Sequence, residues 1–147
     1  KTETPGIVWL GHSGDIRKMA IRESERLELN QDALFRRVEA SEYEPEMRSV
    51  HGSADAYKIK GKIIDMSAGG MKLAITQKLE DPLKNGEILL FHLSGASLRE
   101  NMAATVLATI PSGKQLNVHV QFRDSNALTR IKILQFLHRY KKQQAAA

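Results

Sequence analysis

The feature that most constrains this chain is a period-two alternation of apolar and polar residues. Tyr57, Ile59, Gly61 and Ile63 alternate with Lys58, Lys60 and Lys62. A helix would scatter those apolar groups around its circumference, whereas an extended strand places them on one face. The same period recurs in Met71, Leu73 and Ile75. It recurs in Met102, Ala104, Val106, Ala108 and Ile110, and again in Leu116, Val118, Val120 and Phe122. Leu27, Leu29, Ala33 and Phe35 form an earlier set, interrupted at Gln31. Ile88 to Leu93 is nearly continuous in apolar residues, which suits a strand buried on both faces. Turn signals separate these runs: Ser67-Ala68-Gly69-Gly70, Asn85-Gly86 and Pro111-Ser112-Gly113. Six short strands with no room for helical crossovers predict a mainly β, six-stranded antiparallel barrel, closed or nearly so.

The ends of the chain read differently. Residues 1–21 are punctuated by Pro5-Gly6 and Gly11-His12-Ser13-Gly14 and read as a lead-in or linker. It is partly helical, with Ile16, Met19 and Ala20 at helical spacing between Ile16 and Glu25. Residues 40–56 hold Pro45, several acids and His51-Gly52-Ser53, and read as a long loop. A terminal helix is expected over residues 126–142. Ser125 or Asp124 would cap it, and Leu128, Ile131, Leu134, Leu137 and His138 would line one face. The domain then spans 22–142, with 143–147 as a disordered tail. Because the chain starts at Lys1 and ends in three alanines, it reads as a piece of a larger protein.

The net charge of +5 over 147 residues favours an anionic partner, although ordinary solubility explains so small an excess equally well. Aromatic residues are 5% of the chain, which argues against a base-stacking platform for nucleic-acid polymers. The absence of cysteine rules out disulfides and thiolate metal sites and suits a cytoplasmic setting. No apolar run reaches the roughly 18 residues that would span a membrane.

Two polar clusters sit at strand ends. Arg22-Glu23-Ser24-Glu25-Arg26 precedes the first strand, and Asp65-Met66-Ser67-Ala68-Gly69-Gly70 follows the second. Each is ordinary alone. Arginines four apart on a helix are commonly solvated or paired with acids, and Glu23 and Glu25 are at hand. Asp-x-Ser-x-x-Gly makes a reasonable turn, with glycines that permit positive φ.

Together, in this order, Arg-x-x-x-Arg opening strand one and Asp-x-Ser-x-x-Gly ending strand two resemble the signature of the PilZ domain family. The stretch from Ile63 to Leu73, the later Gly86, the strand from Val118 to Phe122 and the terminal helix agree with it. The likeness covers residues 22–139. It implies a small β-barrel that binds the bacterial messenger cyclic di-GMP, without a cofactor, metal or catalysis, and that controls motility, exopolysaccharide synthesis or biofilm formation through an attached domain or partner protein. It assigns the ligand to Arg22, Arg26, Asp65, Ser67, Gly69 and Gly70. Arginines can fork onto phosphates or guanine acceptors and stack on a base. An ionised Asp65 suits guanine N–H donors, and Ser67 can donate and accept. The glycines would let a base approach the backbone. The segment from Arg26 to Asp65 is longer than is usual, which leaves Arg36 and Arg37 as an alternative arginine pair. On that alignment Ala33 fills the first slot, and the domain becomes a degenerate interaction module that does not bind the messenger.

Other chemistry finds little support. His12, His51, His92, His119 and His138 show no metal-ligand spacing. Gly11-His12-Ser13-Gly14-Asp15 misses the nucleophile-elbow pattern at its last position. Lys58, Lys60 and Lys62 read as the solvated face of their strand.

Overall fold

The computed structural model describes residues 26–49, 56–96 and 100–146. The expected helix within the lead-in lies outside them. Six antiparallel strands close into a barrel in the order β1-β2-β3-β6-β5-β4. They are β1 (Leu27–Val38), β2 (Ile59–Met66), β3 (Gly70–Ile75), β4 (Ile88–Phe91), β5 (Met102–Ser112) and β6 (Gln115–Arg123). One helix, α1 (Ala127–Ala146), follows.

Most of the period-two sets fall where the alternation places them, but Ile110 is 49% exposed beyond a register shift between Val106 and Ala108, and Tyr57 precedes β2 and packs outside the barrel. Phe35, Ile63, Leu73, Val118 and Phe91 point inward and are fully buried. Phe91 anchors the interior, with ring centroids 5.5 Å from Phe35 and 6.2 Å from Phe122. Gln31 interrupts the first set for a visible reason. It pairs in register with buried Ile63, yet its side-chain amide reaches the Ser94 carbonyl at 3.4 Å. The polar group is therefore satisfied where it enters the inward row.

β1 closes the barrel because it is shared. Leu27 to Phe35 pair with β2, and Phe35 to Val38 pair with β4. The far end of β1 is fastened by side chains. Arg37 donates from Nε and Nη2 to the Glu87 carboxylate at 2.9 and 2.8 Å, and to the carbonyls of Asp81 and Pro82. Glu87 also accepts from the Lys84 N–H at 2.7 Å. Burial alone would push the Glu87 carboxyl up, but the bonds from Arg37 and Lys84 outweigh it and hold the group below its ordinary value.

β4 is buried on both faces, as its apolar run predicts. The inner face joins the main core. The outer face, with Ile88 and Leu90, joins Val38 and Ala103 in a second cluster covered by Tyr43, Met47 and Tyr57. The described part of the 40–56 segment is thus a cover with local structure. It forms 3₁₀ turns at Ala40–Glu42 and Pro45–Arg48 and a bridge from Ser49 to Glu100. Tyr43 donates to Asp124 at 2.6 Å while the Arg123 guanidinium sits 5.1 Å above its ring. Burial, together with the Asp124 carboxylate, raises the Tyr43 phenol well above its usual range.

The terminal helix departs from expectation in three ways. Asn126, not Ser125 or Asp124, caps it by accepting the Thr129 N–H at 2.8 Å. Asp124 instead takes a positive φ of 57° and is engaged with Tyr43. The packed face is Ile133, Phe136 and Leu137, with Leu134 and Tyr140 beside them, so Leu134 and Leu137 of the expected stripe do meet the core, whereas Leu128 and Ile131 are 60% and 51% exposed. At about 3.6 residues per turn Leu128 and Ile131 fall on the side of the helix opposite Ile133, Phe136 and Tyr140, and it is the latter side that turns to the barrel. There Phe136 packs on Gly95, and Arg139 donates to the Gly95 carbonyl at 2.7 Å. The helix also continues through Ala146, past residue 142, across most of the tail expected to be disordered.

The Arg37–Glu87 clamp yields the first test. Arg37→Ala strands a mostly buried carboxylate and should cost about 2–4 kcal/mol in denaturant unfolding. Because the folded-state pKa of Glu87 is depressed, its contribution is complete above the ordinary value of 4.5 and is lost as pH falls below it. The wild type should therefore lose stability in acid faster than Arg37→Ala, and parallel curves would contradict the clamp.

Candidate ligand site at the β2–β3 turn

The second cluster occupies the link between β2 and β3. Ser67 is buried and closes a four-residue turn, its N–H donating to the Gly70 carbonyl at 2.8 Å. The Ser67 hydroxyl oxygen accepts the Gly69 N–H at 3.3 Å and lies 3.5 Å from the Gly70 carbonyl oxygen. Its hydrogen-bonding capacity is thus spent inside the turn, and its evident work is to shape that turn.

The two glycines serve different needs. Gly70 pairs with Gln121 of β6, and a Cβ there would collide with the Val120 carbonyl oxygen. The Gly69 carbonyl accepts the Phe122 N–H at 2.9 Å, yet a Cβ on Gly69 would meet nothing within 4 Å. Neither has positive φ, contrary to the usual reading of glycines in such a turn. Gly70 is required by close strand packing, and Gly69 leaves open space above the turn.

Asp65 stands just before the turn, beside a bulge. The β2–β3 register shifts between Ile63 and Asp65, and the β1–β2 register shifts between Glu28 and Gln31. Such shifts re-aim side chains and increase local twist. Met66 faces the core, so Asp65 faces outward. Its Oδ1 lies 2.6 Å from Nη1 of Arg26, with side-chain exposures of 21% and 48%. This pair joins the two sequence clusters across 39 residues of chain. A contact this open adds at most about 1 kcal/mol to stability, so a competing ligand can rearrange it at little expense. The carboxylate keeps further lone pairs, and Arg26 keeps further N–H donors.

Arg22 lies outside the described residues, as do His12 and His51. Arg36 and Arg37 do not approach Asp65. They sit near the opposite end of β1, about 35 Å along the strand from Arg26 at ~3.3 Å per residue, and the Arg37 guanidinium is occupied by Glu87, Asp81 and Pro82. The turn-forming role of Ser67 rests on local bonds and matches the turn read in the sequence, whereas the packing role of Gly70 was hidden there, since it depends on Val120 and Gln121 of β6.

An open concavity of about 1030 Å³ lies on another part of the barrel, against Lys60, Lys62 and His92, and none of the motif residues lines it. Lys58, Lys60 and Lys62 are exposed, as expected of a solvated strand face. No group of three potential metal ligands occurs among the described residues. No helix among them is long and apolar enough to cross a membrane.

Comparison with known proteins supplies the context. No curated protein matches the sequence. Two solved structures share the fold. One is a tetrameric PilZ domain protein of Xanthomonas campestris that self-assembles through a helical bundle. It is 16% identical, with a TM-score of 0.58 over 92% of this chain and 98% of that one. The other is the PilZ domain of YcgR from Escherichia coli with c-di-GMP. It is 12% identical, with a TM-score of 0.50 over 85% of this chain and 98% of that one. The PilZ domain family model matches residues 21–139, and the chain belongs to that family.

Proposed function

We propose that this chain is a receptor module for cyclic di-GMP, a binding module and not a catalyst, working in the cytoplasm. The observation that carries the reading is the Arg26–Asp65 contact, which brings an always-charged fork beside an outward carboxylate at the end of β2. Asp65 accepts from the N–H donors of a guanine, and Arg26 turns to a phosphate or stacks on the base. Arg22, one residue type and four positions earlier, supplies a second such group. Ser67 holds the turn, Gly70 lets β3 lie against β6, and Gly69 leaves room for a base over the backbone. The c-di-GMP held by the related YcgR domain supports this choice of ligand.

The signal passes through residues 1–26, which the ligand draws against the barrel. Such a shift requires that the messenger bind the two arrangements with different affinity. The receiver is an attached domain or a partner protein, in control of motility, exopolysaccharide or biofilm.

Calorimetric titration with cyclic di-GMP tests the reading. Arg22→Ala, Arg26→Ala and Asp65→Ala should each weaken binding by about ten- to a hundredfold, the range for charge-assisted hydrogen bonds. A wild type that gives no heat at tens of micromolar, or arginine variants that bind normally, would point to the degenerate interaction module instead.

The two glycines separate packing from contact. Gly70→Ala forces a methyl into the β3–β6 interface, costing about 1–3 kcal/mol and several degrees of Tm along with affinity. Gly69→Ala should leave Tm within about a degree and still lower affinity, because its methyl projects into the open space above the turn. Undiminished affinity in Gly69→Ala would show that the base lies elsewhere.

A further inference from the structure

The strand register places two more groups beside Asp65. Asp65 is paired with Lys72 of β3, Lys72 with His119 of β6, and His119 with Ala108 of β5. Directly paired residues project to the same face of a sheet. That face is outward here, because Met71, Leu73, Val118 and Val120, which flank Lys72 and His119, are buried in the core. On the other side, Asp65 is paired with exposed Glu28 of β1. One transverse row therefore reads Glu28, Asp65, Lys72, His119. It is polarised, with carboxylates over β1 and β2 and nitrogen bases over β3 and β6.

Lys72 is half-buried on this row, unlike the exposed Lys58, Lys60 and Lys62. Its nearest carboxylate by register is Asp65, and that group pairs with Arg26 instead. Among the described residues neither Lys72 nor His119 makes an ion pair. Strands lie about 4.8 Å apart, so His119 is about 10 Å from Asp65 across the sheet. A guanine nucleotide has matching polarity: N–H donors on one edge of the base, and at the other end a phosphate that only accepts.

We propose that Lys72 and His119 form the phosphate-holding arm of this site, so that a guanine nucleotide lies across β2, β3 and β6 with its base edge on Asp65 and its phosphate over Lys72 and His119. This rests on the reading of Asp65 as a guanine acceptor. It sets the direction in which the ligand lies and extends the site beyond the two sequence motifs.

The test uses the whole chain titrated with cyclic di-GMP at low and high NaCl. Lys72→Gln should weaken binding about tenfold at low salt, the loss of one charge-assisted bond. The gap to wild type should narrow as salt screens the charge. Lys72→Arg should retain most of the affinity, and His119→Ala should weaken binding several-fold. Both side chains project outward, so each of these variants should melt with the wild type. Normal binding by Lys72→Gln and His119→Ala, alongside a loss in Asp65→Ala, would overturn the arm and leave the Asp65 reading standing. A loss that is equal in Lys72→Arg and Lys72→Gln and indifferent to salt would also overturn it. No binding by the wild type would overturn both.

Discussion

One strand shared between two neighbours makes this molecule a barrel. β1 gives its first nine residues to β2 and its last four to β4, with Phe35 paired to both Ile59 and Phe91. Without that sharing, β1 and one of its neighbours, β2 or β4, would be open edges with unpaired backbone groups. The sharing also explains the Arg37–Glu87 clamp, which ties the last turn of closure to the connection ahead of β4. At its other end the same strand begins one residue after Arg26, so the element that closes the barrel also delivers the guanidinium to Asp65.

The strands were legible because a half-buried strand writes its burial into every second residue. Gln31 broke the pattern only because its amide finds the Ser94 carbonyl, a partner 63 residues away. The helix was legible in kind and partly in face, since Leu134 and Leu137 pack as expected. Leu128 and Ile131 have the spacing of a buried stripe, but spacing does not reveal which side of a helix turns to the barrel. Ile133, Phe136 and Leu137 have equally good spacing and are the ones buried there. Tyr43 and Met47 carried no periodic signal, since each is an isolated apolar group in a polar segment, so a cover over β4 read as a plain loop.

The candidate site was legible as a set of residue types and less so as a set of tasks. The sequence order brought Arg26 and Asp65 to attention, and they meet. It did not distinguish residues that face a ligand from residues that build the turn. Ser67 is enclosed by Gly69 and Gly70, and Gly70 answers to Val120. Only the second depends on β6. Lys72 and His119 lie within alternating strand runs, and only the register sets them in line with Asp65.

The cover over β4 makes the outside of the barrel unequal. On one side Tyr43, Met47 and Tyr57 shield β4 and its neighbours, so those amides are screened from water by two layers of side chains. On the other, β2 and β3 present half-buried Asp65 and Lys72 and exposed Gly69 with no further layer over them. Local opening free energy rises with such burial. Hydrogen exchange should therefore be slowest at Ile88–Phe91, where side chains cover both faces of the strand. The side of the molecule that can yield without unfolding is the side that carries the candidate site.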